Sequence, residues 1–306
     1  MSVAVVDLGT ITARLLILTD AGQRHTDRSF TRLGEGLAAT GLLSPASLER
    51  TATALASYRS QIDAAGVSSV YCVATSAARD ASNTDDLAAL VRQTLGVELE
   101  VISGAEEGRL AFLGATASHG DVGKFAMTID IGGGSTEFVV GPVGGGSIES
   151  FSTDMGAARM TQAYIVTDPP EPEDLSAALS VVELHVIDAK RELVNLAEVA
   201  ENGTVIGLGG TITTVAAVDL GLLEYDTDQI NGYVLTREAV EDTFRALATE
   251  SRDDRIHNPG LEPERVDVIV GGLCVLVETM RRLAISEIIV SEFDLLDGVA
   301  AARSQA

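Results

Sequence analysis

Twice in this chain an apolar strand runs into an aspartate, a glycine turn flanked by hydroxyls, and a second apolar strand: "VVDLGTITARLLIL" from Val5 and "TIDIGGGSTEFVVG" from Thr128. A plan repeated at that separation reads as an internal duplication, although two unrelated hairpins would share the same letters. Around the two copies, strand-like and helix-like segments alternate, the pattern of an α/β protein. Two related units set face to face would aim both acid–glycine turns into one interdomain cleft, where small ligands are usually bound.

The second copy is the more demanding. Gly132, Gly133 and Gly134 in a row are costly to order, so such a run is kept where backbone must come close to something. Successive N–H groups in a tight glycine turn form a concave anion site, and Ser135 and Thr136 add hydroxyl donors of little bulk. Asp130 and Glu137 at the two ends would repel a phosphate unless a hard divalent cation lay between them, so the stretch reads as a metal–phosphate site. An ordinary Gly-rich hairpin turn fits the same residues.

Composition narrows the function classes. The chain has 306 residues, 46% of them hydrophobic, enough to bury a large core in about two domains. Aromatic residues make up 4% and Trp is absent, which leaves little for stacking nucleic-acid bases. A net charge of −24 with no run of Lys or Arg argues the same way, against nucleic acid as a partner. Any anion must be bound locally, which screening over roughly 8 Å at physiological salt permits. Cys72 and Cys274 lie in apolar runs without CxxC spacing and read as buried reduced thiols, implying a cytoplasmic location. No apolar run approaches the ~20 residues of a membrane span, and the four histidines, scattered without metal-ligand spacing, receive no role.

Local signals place the elements. Ser44 and Pro45 open a helix that Gly66 stops, and "SSVYCVATSA" is a buried strand ending in a loop that carries Arg79. Helices are expected from about Thr84 to Leu95 and from about Gly104 to Ala117. The polar linker "SHGDVGK" then separates a unit 1–123 from a unit 124–306. Within the second unit the longest helical patterns are "EPEDLSAALSVVELHVIDAKRELVNLAEVA" and "PERVDVIVGGLCVLVETMRRLA", whose Gly271 and Gly272 are compatible with dimerisation or with ordinary core packing. A third glycine turn, "GLGGTITT" from Gly207, precedes another helix. It lacks the last glycine of a GxGxxG fingerprint, and no P-loop is present.

In order along the chain, "VVDLG…R", "VATSAARDASN", "VISGAEEGRLAFLG", "TIDIGGGSTEFVVG", "DMGAARMT", "GLGGTITT", "INGYVLTRE" and "GLEPERVDVIVGG" resemble the successive motifs of the exopolyphosphatase and guanosine pentaphosphate phosphatase family, within the actin, sugar kinase and heat-shock chaperone ATPase superfamily. The resemblance implies two ribonuclease-H-like domains with an interdomain active-site cleft, a final helix at about 294–306 returning to the first domain, and the short, two-domain type. It implies Glu107 as general base, with its neighbour Glu106 as the fallback because adjacent helical acids point about 100° apart. It further implies Arg79 as a phosphate clamp, Asp130, Glu137 and Asp7 as metal-linked acids, and Mg²⁺ or Mn²⁺ as cofactor. Phosphate contacts fall on Gly132, Gly133, Gly134 and Ser135, on Gly9, Thr10, Thr12 and Arg14, and on Gly209 and Gly210. The family's first loop usually reads Gly-Ser-Asn-Ser or Gly-Ser-Asn-Thr; here Ile11 takes the amide's place and offers no side-chain hydrogen bond.

The reaction so implied is hydrolysis of a terminal phosphoanhydride, with inorganic polyphosphate preferred over guanosine pentaphosphate as substrate and Arg32, Arg109 and Arg159 as candidates to line a polyanion groove. Two other classes stay open at this point: an ATP-using kinase of the same superfamily, and a non-catalytic phosphate or alarmone sensor.

Overall fold

The computed structural model describes residues 2–119, 123–144 and 146–304. It contains two mixed sheets. The first consists of β1 (Val3–Leu8), β2 (Ala13–Leu18), β3 (Arg24–Ser29), β4 (Val70–Ala74) and β5 (Leu99–Val101), in the order β3-β2-β1-β4-β5. The second contains β6 (Phe125–Ile131), β7 (Thr136–Pro142), β8 (Glu149–Thr153), β9 (Thr204–Leu208), β10 (Val234–Thr236) and β11 (Glu287–Val290), in the order β10-β11-β9-β6-β7-β8. In each, an antiparallel three-strand meander continues into a parallel strand on its other side, so β6, β7, β8 and β9 repeat β1, β2, β3 and β4. The duplication read from two hairpins thus extends to whole sheets.

The repeat holds residue by residue at the turns. Asp7 faces Arg14 across the first hairpin and Asp130 faces Glu137 across the second. The Gly9 N–H donates to the Thr12 carbonyl at 2.9 Å, and the Gly132 N–H to the Ser135 carbonyl at 3.0 Å. All six residues of β1 are buried, as expected of a central strand covered on both faces.

Burial and capping explain the helices nearest the site. Ser44 accepts a hydrogen bond from the Ser47 N–H at 3.1 Å and starts the helix Pro45–Ala64. Ser103 does the same for Glu106 at 3.2 Å and starts Gly104–Ser118. Three expected elements differ. Arg79 lies on a short helix, Ser76–Asp80, rather than in a loop. The longest helical pattern is two helices, Pro172–Glu192 and Leu196–Asn202, because buried Leu193 leaves the helix in an extended conformation. The apolar stretch after Pro263 begins with a 3₁₀ turn, Pro263–Arg265, and becomes α-helical only at Ile269–Arg282. Gly271 and Gly272 meet Thr161, Ala157 and Thr211 of the same chain, so here they serve core packing. Of the expected linker at 118–124, residues 120–122 lie outside the described residues, as do 305 and 306 of the expected final helix.

The last helix, Leu295–Ser304, returns to the first sheet. Leu295, Leu296, Val299 and Ala300 pack with Val3, Val5 and Leu16 and with Leu110 and Ala115 of the helix Gly104–Ser118. The two helices touch backbone to backbone: a Cβ added at Gly298 would overlap the Leu110 carbonyl, and one at Gly114 the Asp294 carbonyl. Gly298→Ala is therefore expected to destabilise by about 2–3 kcal/mol, the usual cost of overpacking a tight contact. Urea unfolding checks this, and an unchanged midpoint would show that the helices have room to separate.

Candidate active site

Both acid–glycine turns open into one cavity of about 420 Å³ between the sheets. Its wall includes Asp7, Gly9, Thr10, Thr12 and Arg14 from the first hairpin, Asp130 and Gly132 to Ser135 from the second, Gly209 and Gly210 from the third glycine turn, and Glu107. The turns touch. A Cβ on Gly134 would come within 2.8 Å of the Thr10 hydroxyl, and one on Gly133 within 2.6 Å of Ile11. Gly209 has φ +84°, and a side chain there would come within 2.6 Å of an Asp130 oxygen, so only glycine fits. Among the described residues no acceptor is matched to the N–H groups of Thr10, Ile11, Gly133, Gly134 or Ser135. Those free donors, with the Thr10 and Ser76 hydroxyls, form the concave anion cradle that the glycine run implies.

Ile11 has a packing role instead of a ligand role. It is 9% exposed and sits among Ala157, Ala158, Phe30 and Val268, joining the first turn to the second sheet's helices.

The adjacent acids at the start of Gly104–Ser118 separate as helix geometry requires. Glu106 turns outward and binds Arg109 at 2.8 Å through both oxygens, which also removes Arg109 from the cavity wall. Glu107 turns inward, buried, and its Oε2 accepts from Arg79 Nη1 at 2.7 Å. Burial raises the Glu107 carboxyl to about 7 even though Arg79 pulls the other way. Arg79 itself does not line the cavity. Its Nη1 is divided between Glu107 and the Ile102 carbonyl, at 3.0 Å, so the expected phosphate clamp stands here as the partner of the expected base.

The acids expected to be metal-linked fall into two groups. Asp7 and Asp130 line the cavity, whereas Glu137, 1% exposed, sits beside Asp130 in the ladder and off the cavity wall, held by the Ser152 hydroxyl at 2.7 Å. Burial, then the charges of Asp294, Glu107 and Asp7, drive Asp130 up to about 7 against the pull of Arg14. Asp7 and Glu137 are also raised, chiefly by burial. Asp7 Oδ1 and Glu137 Oε2 are buried with no hydrogen-bond partner among the described residues. All these donors are oxygens. Among the described residues no three His, Cys, Asp or Glu side chains gather closely enough to hold an ion by themselves.

Arg14 is drawn between two carboxylates. Its Nε and Nη2 donate to Asp7 Oδ2 at 3.0 and 2.7 Å, and its Nη1 donates to Asp294. Arg24, Arg28 and Arg265, which the sequence reading did not single out, form a second, basic stretch of wall. Arg28 faces Arg14 in the β2–β3 ladder, so Asp7, Arg14 and Arg28 form a row across the first sheet. Their alternation along β3 with Thr26 was the signal available, since a short polar strand shows period two. Arg28 and Arg265 both lie over Phe30, and Arg28 also over Tyr225. Arg159 spans the two halves, donating to the Gly134 carbonyl at 2.7 Å and pairing with Asp80; Arg32 pairs with Asp267 at 3.6 Å. Neither lines the cavity.

The sequence model of the Ppx/GppA phosphatase family matches residues 22–304. A protein named exopolyphosphatase 2 from Mycobacterium tuberculosis is 36% identical over 97% of this chain and 97% of its own length. Among solved structures, an exopolyphosphatase-like protein is similar with a TM-score of 0.92 at 31% identity, covering 100% of this chain and 99% of that one. The Aquifex aeolicus member of the Ppx/GppA family is similar with a TM-score of 0.80 at 30% identity, covering 100% and 98%.

The raised carboxyls set a stability trend. Glu107 and Asp130 stay protonated in the folded chain up to about 7, against 4.5 and 3.8 for ordinary carboxyls. Between those limits the folded state binds more protons than the unfolded one, so their contribution is complete at low pH and is lost as pH rises to about 7. In chelator, the urea midpoint is expected to fall from about pH 5 to about pH 7.5, and Asp130→Asn to flatten the slope. A midpoint rising over that window would contradict the burial of these acids.

Proposed function

The chain belongs to the Ppx/GppA phosphatase family, and from that premise we propose that it is an exopolyphosphatase, hydrolysing the terminal phosphoanhydride of inorganic polyphosphate and releasing orthophosphate. The observation that carries this reading is the convergence of Glu107, Asp7 and Asp130 on one cavity beside two glycine turns with free N–H groups.

Phosphoryl transfer requires little covalent chemistry from the protein; it requires an aligned water and fixed donors around the phosphoryl oxygens. Glu107 supplies the base. No protein donor among the described residues reaches its Oε1, and Arg79 fixes the other oxygen, so Oε1 is free to take a proton from water. A proton affinity near 7 suits that exchange at neutral pH. The N–H groups of Gly133, Gly134 and Ser135, with Thr10, hold the terminal phosphoryl oxygens. Asp7 and Asp130, with Glu137 beside them, are the residues to hold Mg²⁺ or Mn²⁺, and the unmatched Asp7 Oδ1 supports that fit. Bound there, the ion would neutralise charge on the phosphate oxygens.

Arg28, Arg24 and Arg265 give the rest of the substrate its place. Two strand spacings of about 4.8 Å separate Asp7 from Arg28 in the row, so an anion seated at the acids extends toward the guanidinium groups. That favours a chain of phosphates. Tyr225, the aromatic residue in the cavity wall among the described residues, has the Arg28 guanidinium over it, which favours polyphosphate over guanosine pentaphosphate, whose base would need a stacking surface.

Glu107→Gln is expected to lower turnover by about 10²–10⁴, read as phosphate release from polyphosphate. In the wild type the rate should climb with pH and level off above about 7, as the Glu107 carboxyl ionises, and that acid limb should vanish in the variant. Arg28→Ala should raise KM for polyphosphate and leave kcat close to wild type. Faster turnover of guanosine pentaphosphate than of any polyphosphate would reverse the substrate assignment.

A further inference from the structure

Asp294 stands immediately before the last helix, 8% exposed, in the cavity wall. One carboxylate oxygen accepts from the Leu296 N–H at 3.0 Å, capping the helix, and the other accepts from Arg14 Nη1. The helix it caps is locked backbone to backbone onto Gly104–Ser118, which carries Glu107. Asp294 is therefore a fixed point relative to the base.

Arg14 is the residue that this fixed point controls. A guanidinium fork facing a carboxylate ordinarily engages both oxygens, one per N–H. Here Nε and Nη2 converge on Asp7 Oδ2 alone, at 3.0 and 2.7 Å, and Oδ1 is left without a partner among the described residues. The third nitrogen is tied to Asp294. Since the guanidinium is planar and rigid, holding Nη1 decides how the opposite edge meets Asp7.

We propose that Asp294 is a positioning residue for the reaction: by anchoring Arg14 it keeps Asp7 turned so that one carboxylate oxygen stays free of protein donors and able to bind a divalent cation. Without that anchor Arg14 swings to the two-oxygen mode and takes up Oδ1. Burial opposes the charge on Arg14, but Asp294 and Asp7 outweigh it and keep the guanidinium protonated.

The activity arm of the test rests on the hydrolase reading; the binding arm does not. Asp294→Asn retains an amide oxygen to cap the helix and loses the charge that holds Arg14. It is expected to lower Mn²⁺ affinity, titrated by EPR without substrate, and kcat by about 10–100-fold each, the usual range for a group that orients a metal ligand. KM and melting temperature should stay near wild type. Arg14→Lys keeps the charge without the fork and is expected to show the same losses. Combining the two should cost no more than either alone, since both cut one link. Wild-type Mn²⁺ affinity and kcat in Asp294→Asn, additive losses in the double variant, or losses matched by a collapse in melting temperature would overturn the proposal. If the wild type released no phosphate from polyphosphate, the hydrolase reading would fall, and the Mn²⁺ titrations would still decide the role of Asp294.

Discussion

Asp7, Glu107, Asp130 and Asp294 line one hollow, Glu137 is buried beside Asp130 behind its wall, and two guanidinium groups, Arg14 and Arg79, pair with Asp7, Asp294 and Glu107. Taking that many carboxylates out of water costs more than two cations return, which is why burial leads the upward shift at Asp7, Glu107, Asp130 and Glu137. The excess negative charge has two outlets, a proton or an added cation. At neutral pH Glu107 and Asp130 sit near the balance between them. On the proposed reading the same physics would give a base that exchanges protons near pH 7 and a wall that attracts a hard cation, so burial, not any single contact, sets the character of the hollow. The stability it forgoes is supplied elsewhere, by strands such as β1 that bury every residue.

The duplicated fold is what makes such crowding buildable. One hairpin plan, used twice, delivers Asp7 and Asp130 at equivalent ladder positions, each followed by a glycine turn closed by the same kind of N–H to carbonyl bond. The copies diverge where their duties differ: opposite Asp7 stands Arg14, and opposite Asp130 stands Glu137. Contact between the turns depends on small groups, with Gly133 against Ile11 and Gly134 against Thr10 and Ser76. Ile11 then seals the joint on its apolar side. The returning helix closes the arrangement from behind, so one rigid block carries Glu107 and Asp294 together.

Much of this was legible in the residues. The hairpin copies, the inward turn of Glu107 and the glycine cradle are fixed by a few adjacent residues, whereas the return of the last helix onto Val3, Leu16 and Leu110 was implied by the family motifs alone. What escaped was set by distant partners. Arg79 reads as a phosphate ligand in sequence, yet a buried acid 28 positions further on captures it. Arg14 likewise belongs to Asp294, which lies 280 positions away, and no spacing rule links them. Arg28 and Arg265 come from separate units and meet over Phe30 through tertiary packing. Ile11 looked like a lost donor because its apolar neighbours, Ala157 and Ala158, are invisible until the sheets face each other.

A net charge of −24 contrasts with the four arginines, Arg14, Arg24, Arg28 and Arg265, that reach the cavity wall. The row Asp7, Arg14, Arg28 shows how local order outweighs the sum. Over roughly 8 Å of screening at physiological salt, a ligand in the cavity responds to its lining far more than to distant surface acids. That lining is graded, with acids at one end and Arg28, Arg24 and Arg265 along the other stretch. A uniform anionic chain has no chemical polarity of its own except at its ends. For the polyphosphate proposed above, a graded wall would supply the missing direction, with the tail on the guanidinium groups and the terminal phosphate with its cation at the acid end. Arg265, 6% exposed and with its proton affinity lowered by that burial and by Arg28, is held by Glu262, which pairs with Arg28 as well. A polyanion of the proposed kind would therefore compete with Glu262 for these two guanidinium groups, while its terminal phosphate lay at the acid end near Glu107.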